Sequence, residues 1–152
     1  MHDHIVRSYD QELSLLDSRI AEMGGLAERL LSEAFDALEK RDPALARTAV
    51  ASDENIDIIE RSLQEQAIAM IAKRQPMAND LRHIMGVLKI SSDLERIGDL
   101  AKNIGKRALA IAGENHPKRL MTGLRHMVEL TSKMLKDVLD AYAARDAEKA
   151  LR

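Results

Sequence analysis

Apolar residues recur along most of this chain at steps of three and four, the spacing that lines them on one face of an α-helix. Leu13, Leu16, Ile20, Met23, Ala27, Leu30, Ala34 and Leu38 make the first stripe and predict a helix from about Ser8 to Lys40. Asp42 can cap the next helix and Pro43 suits its first position. That second helix carries Leu45, Val50, Ile56, Ile59, Leu63, Ala67, Met70 and Ile71. It reaches Lys73 before Gln75, which precedes Pro76 and so avoids helical angles. Asn79 or Asp80 marks the following start. Val87, Ile90, Leu94, Ile97, Ala101, Ile104, Ala108 and Ile111 then keep the same rhythm up to Gly113. After a loop from Gly113 to Pro117, Leu120, Leu124, Met127, Leu130, Met134, Val138 and Tyr142 form a fourth stripe, and Arg145-Asp146 opens a fifth segment. The expected fold is all-α.

A shift of 104 positions places Leu31 on Leu135, Asp36 on Asp140, Ala37 on Ala141, Arg41 on Arg145, Asp42 on Asp146 and Ala46 on Ala150. Helical sequences rich in Ala, Leu and Asp align in part by chance, but the shared helix-loop-helix punctuation favours an internal repeat. The chain then reads as a three-helix bundle over 8–113, followed over 117–152 by the first helix and the start of the second helix of a similar, incomplete unit. The stripe of the fourth helix lacks its expected partners, so a missing segment or a second chain is needed to cover it.

Composition narrows the function. Aromatics are only 2% of the 152 residues, so the core is aliphatic and suited to long helices. With 23 basic against 25 acidic residues and a net charge of −2, there is no basic footprint for nucleic acid. The absence of cysteine excludes disulfides and thiolate chemistry and suits a reducing compartment. No apolar run approaches the length of a membrane span, and Met1 to Tyr9 carries Asp3 and Arg7 where a signal peptide would be apolar. A soluble, cytoplasmic protein, peripheral to a membrane at most, is the expectation.

The candidate chemistry is acidic. Asp53 and Asp57 are four apart on the second helix, and Glu95 and Asp99 are four apart on the third, so each pair projects from one face. Both pairs are equidistant from Pro76, so antiparallel helices joined there bring the four carboxylates level. Such a group needs protons, basic side chains or a cation, and hard oxygen ligands suit iron, manganese, magnesium or calcium. Asn103, one turn beyond Asp99, can add a neutral oxygen, whereas Glu60 is a weaker candidate. The alternative is a solvated face on which Asp57 pairs with Arg61, Lys89 with Asp93 and Asp99 with Lys102.

Other chemistry finds little support. No glutamate has a histidine three residues later, which disfavours a ferritin-like di-metal oxidase. His2, His4, His83, His116 and His126 are scattered without metalloprotease spacing and read as surface residues. No phosphate-cradling glycine loop exists, and Gly24-Gly25, Gly86, Gly98 and Gly105 lie inside apolar helical patterns, where they suggest close helix packing. No enzyme is expected.

Ile71-Ala-Lys-Arg-Gln-Pro76, Asp80-Leu-Arg82 and Asp93-Leu-Glu-Arg-Ile-Gly-Asp99 followed by Asn103-Ile104 resemble the PhoU family of phosphate-transport regulators. The resemblance extends to Met23-Gly24-Gly25 and to Asp53 through Glu60, and so covers essentially the whole chain. It implies two similar three-helix bundles, of which the second is cut short here. It also implies a divalent or trivalent metal ion on Asp53/Asp57 and Glu95/Asp99, iron first, with manganese, magnesium, zinc or calcium as other possibilities. The implied role is negative regulation of the phosphate regulon by a homodimer acting between the ATPase subunit of the phosphate ABC transporter and a sensor histidine kinase. Two readings stand beside it: a metal-storing or carboxylate-metal helical enzyme, and a generic helical oligomerisation module.

Overall fold

The computed structural model describes residues 2–151, with side chains from Tyr9 onward. The side chains of His2, Asp3, His4 and Arg7, and the end of the chain at Arg152, lie outside the described residues. Five helices follow one another: α1 (His2–Lys40), α2 (Pro43–Arg74), α3 (Ala78–Ala110), α4 (Lys118–Ala144) and the short α5 (Ala147–Ala150). The described residues contain no strand. α1 begins before Ser8 because neither Gly nor Pro interrupts positions 2 to 8, and a nucleated helix propagates through such a segment.

α1, α2 and α3 pack against one another as an antiparallel bundle. The predicted stripes supply its core: Leu16, Ile20, Met23, Ala27 and Leu30 from α1, Ile56, Leu63 and Ala67 from α2, and Val87, Leu94 and Ala101 from α3 are all buried. Each fully buried large aliphatic side chain contributes roughly 1.5–3 kcal/mol. Leu45 departs from the pattern: it sits in the first turn of α2 and is 39% exposed.

The turn between α2 and α3 is tighter than expected. Gln75 caps α2 in the left-handed region at φ 47° and donates to the Ile71 carbonyl at 3.2 Å. Met77, not Asn79 or Asp80, is the N-cap of α3, and it offers no side-chain cap. At the other end α3 stops at Ala110, where the Ile111 N–H closes on the Arg107 carbonyl.

Glycine lets helices approach closely at three of the expected positions. A side chain at Gly24 would run into Leu139 of α4, one at Gly98 would sit 2.8 Å from Ile56 Cδ1, and one at Gly105 would sit 3.2 Å from Val50 Cγ2. Gly25 and Gly86 have no such neighbour, so the packing role expected for them is not seen.

α4 lies antiparallel along α1 and presents Val128, Leu135, Leu139 and Tyr142 to the core. Most of its sequence-predicted stripe faces outward: Leu120, Met127, Leu130, Met134 and Val138 are 45–71% exposed, whereas Tyr142 turns inward. The corners after α1 and α4 share one geometry. Arg41 (φ 53°) and Arg145 (φ 56°) are left-handed, and the next amide closes on a carbonyl five residues back, Asp42 to Ala37 at 3.0 Å and Asp146 to Ala141 at 2.9 Å. Asp42 and Asp146 then cap the following helices by accepting from Ala44 and Lys149 amides at 2.8 and 2.9 Å.

One polar hub ties α4 to the bundle. Asp17 Oδ1 accepts from the Tyr142 hydroxyl at 2.6 Å and meets His83 Nε2 at 2.7 Å, while Asp17 Oδ2 accepts from Arg145 at 3.2 Å. His83 is therefore no surface residue: its side chain is 12% exposed. Burial, followed by the bond to Asp17, pushes the Tyr142 phenol well above its usual range.

Candidate metal centre

α2 and α3 run antiparallel away from Pro76, so residues equidistant from that turn lie beside each other. The two acidic pairs meet as the spacing predicted, in one electrostatic neighbourhood. Asp57 feels the charges of Asp53 and Asp99, and Glu95 feels those of Asp99, Glu60 and Asp57. They are not equally placed. Asp53 is 1% exposed and turned into the interface, whereas Asp99 is on the rim with its side chain 53% exposed.

The interior of the cluster is short of protons and donors. Asp53 Oδ1 and Asp57 Oδ1 are both buried without a hydrogen-bond partner. Such acceptors are expensive to leave unmet in a low-dielectric interface. Burial first, then the negative neighbours, raises the carboxyl pKa of Asp57, Glu60 and Glu95 above the ordinary carboxylate range. A basic group that reaches in is Lys102, whose ammonium lies 2.6 Å from Asp53 Oδ2 and 3.8 Å from Asp99 Oδ1. Among the described residues no three acidic or histidine side chains converge on one ion position. The cluster thus holds carboxylates and unmet buried oxygens, spread around Lys102.

Two of the expected site residues change weight. Asn103 is exposed on α3. Glu60 belongs to the group, its charge coupled to Asp57 and Glu95. Its signal was present in the sequence, because residues three apart on a helix share a face just as those four apart do. Lys102 was equally legible as the i+3 partner of Asp99; its reach across to Asp53 on α2 was not.

These shifts make stability depend on pH. A carboxyl whose folded pKa is raised binds its proton more tightly in the folded state, so its contribution favours folding at low pH and is lost as pH rises through the folded pKa. In chelator, the protein is expected to be more stable at mildly acid pH than at neutral pH, as these raised carboxyls take up protons. Glu12 works the opposite way: its bond to Arg74 at 2.7 Å lowers its pKa, and that stabilisation disappears only at more acid pH. Urea midpoints at the two pH values measure the effect. The gain should shrink in Glu95→Gln, and an equal gain in that variant would show that the cluster is not its source.

The PhoU domain family matches residues 20–108, a span that takes in the second half of α1, all of α2, nearly all of α3 and both acidic pairs. The chain belongs to the PhoU family. It is 51% identical over 98% of its length to a phosphate-specific transport system accessory protein PhoU homolog of Rhizobium meliloti. It is 37% identical over its whole length to the phosphate-specific transport system accessory protein PhoU of Escherichia coli. It spans 63% of the length of each of these relatives. The crystal structure of PhoU from Pseudomonas aeruginosa superposes with a TM-score of 0.88 at 37% identity, over 94% of this chain and 68% of that one. The fold expected from the PhoU resemblance is therefore the fold found. No described helix is long and apolar enough to cross a membrane.

Proposed function

We propose that this chain serves as a PhoU-type accessory protein of phosphate transport, a cytoplasmic adaptor and not an enzyme, carrying a carboxylate metal site between α2 and α3. The observation that carries the site is the pair of buried, unpartnered oxygens on Asp53 and Asp57, which no protein donor satisfies. Asp53, Asp57, Glu95 and Asp99 would hold the ion, with Glu60 beside them and Asn103 at the outer edge. A bound cation would neutralise the cluster and fix the separation of the two helices; iron is the first choice by family likeness, and manganese, magnesium, zinc and calcium share the taste for oxygen ligands.

The adaptor reading rests on the relatives' names and on shape. α1 is about 58 Å long at 1.5 Å per residue, so the bundle offers extended polar ridges for partner proteins. The partners proposed are the ATPase subunit of the phosphate transporter and the sensor histidine kinase of the phosphate regulon, which the protein would restrain when phosphate is plentiful, working as a homodimer. The outward stripe of α4 supports reading 117–152 as the opening of a second, similar bundle.

Metal binding and partner binding can be tested together. Loaded with Fe³⁺ or Mn²⁺ at about 100 times the dissociation constant, the protein is expected to gain about 2.7 kcal/mol of stability. Glu95→Ala combined with Asp99→Ala should remove that gain and weaken capture of the transporter ATPase. Protein that retains no metal after dialysis against either ion, with capture unchanged in the double variant, would refute the site.

A further inference from the structure

We infer that Lys102 is a built-in counter-cation of the acidic cluster, competing with a divalent metal for Asp53 and Asp99, so that an arriving ion expels the ammonium to solvent. This inference rests on the metal reading above and adds its regulation. The sequence alone treats Lys102 as the outer member of a surface i,i+3 pair. The structure gives it a second, stronger partner, since its bond to Asp53 on the neighbouring helix is far shorter than its approach to Asp99, 2.6 against 3.8 Å.

Three features make Lys102 a competitor instead of a permanent strut. Its ammonium is a compact charge on a flexible stem, and the stem lies at the rim with the side chain 28% exposed. It can therefore withdraw into water by rotamer changes without moving the backbone. Second, it satisfies only one oxygen of Asp53: Oδ1 stays unpaired, as does Oδ1 of Asp57. Several oxygens can bind one metal ion at once, whereas a lysine donates along separate directions to those within its reach. Third, Gly98 lets α3 come close to Asp53: a methyl group there would stand only 3.1 Å from Asp53 Oδ1, so the carboxylate stays at the helix interface when the ammonium leaves.

The consequence is a trade between two states of one site. Without metal, Lys102 partly neutralises Asp53 and keeps α2 and α3 together. With metal, the ion takes both aspartates and Lys102 is released onto the exposed ridge of α3, moving a positive charge to a surface available to partners. Metal occupancy and surface charge become one variable.

The test is a titration of the full chain with Mn²⁺ by calorimetry. Lys102→Met should bind Mn²⁺ at least about tenfold more tightly than the wild type, because a unit positive charge held 2.6 Å from Asp53 Oδ2 is removed. Lys89→Met and Lys106→Met, which remove the same charge at exposed positions of α3, should change affinity by less than about twofold. If the methionine variant folds poorly, Lys102→Gln and the wild type serve. In the wild type the Lys102 side-chain methylene resonances should move as Mg²⁺ saturates the site. Wild-type and Lys102→Met affinities that agree within twofold, or Lys102 resonances that stay fixed on saturation, overturn the competition while leaving the metal reading intact. No Mn²⁺ binding by either protein overturns both.

Discussion

Gly98→Val lowers the stability of the bundle by about 3 kcal/mol, within the usual cost of overpacking plus a displaced buried carboxylate. Gly86→Ala, on the same helix, raises stability by about 0.5–1 kcal/mol. The opposite signs follow from what each position faces. A side chain at Gly98 points into the α2 interface, at Ile56 Cδ1 and Asp53 Oδ1, whereas one at Gly86 meets nothing within 4 Å. A β-branched side chain at 98 has no rotamer that avoids both neighbours without parting the helices. Parting them also draws Asp53 away from Lys102. Gly86→Ala only removes freedom from the unfolded chain. Urea denaturation of the two variants decides the matter; a Gly98→Val midpoint equal to wild type would mean the interface yields at no cost and would undo the account of close packing.

Asp17→Ala frees α4 from the bundle while leaving α1, α2 and α3 folded. The carboxylate is the shared acceptor for Tyr142, Arg145 and His83, which come from α4, its C-cap and α3. Truncation leaves the tyrosine hydroxyl and the 12%-exposed imidazole without their partner. Asp17 itself is a third exposed, so the expected loss is about 2 kcal/mol, not the larger figure for a fully buried network. Hydrogen exchange distinguishes local from global effects: amides of α4 between about Val128 and Ala144 should lose protection, and those around Leu94 and Leu63 should not. Uniform loss across all helices would show that α4 is integral to the bundle's cooperativity.

The helices were legible because their physics is local. Stripes such as Leu16-Ile20-Met23-Ala27 and Val87-Leu94-Ala101 repeat with the helical period, and Asp42-Pro43 and Asp146 announce helix starts by capping chemistry. The acidic cluster was legible for a related reason: symmetry about Pro76 converts sequence distance into spatial neighbourhood once two helices are antiparallel. What escaped was set by side-chain depth and reach. Nothing in the spacing says that Asp53 is buried while Asp99 is at the rim, since that depends on how α2 and α3 are rotated about their axes. The Asp17 hub joins residues 66 and 125 positions apart, and no periodicity encodes such a meeting. His83 illustrates the error: a polar residue drawn inward by a distant partner. The metal and the second bundle were expected from residue spacing and from family likeness, the partners from family likeness alone, and all stand as proposals.

The matching corners at Arg41-Asp42 and Arg145-Asp146 carry an engineering consequence. Each is specified by a handful of local interactions: one left-handed residue, one backbone closure to an alanine carbonyl and one aspartate that caps the helix ahead. Distant groups do reach each corner, Arg41 donating to the Glu114 carbonyl and Asn115 and Arg145 to Asp17, but through side chains and not through the backbone closures that make the bend. A part that holds its own angle in this way can be lifted out as a cassette, and grafting Leu38–Leu45 between two unrelated helices should reproduce the same antiparallel turn.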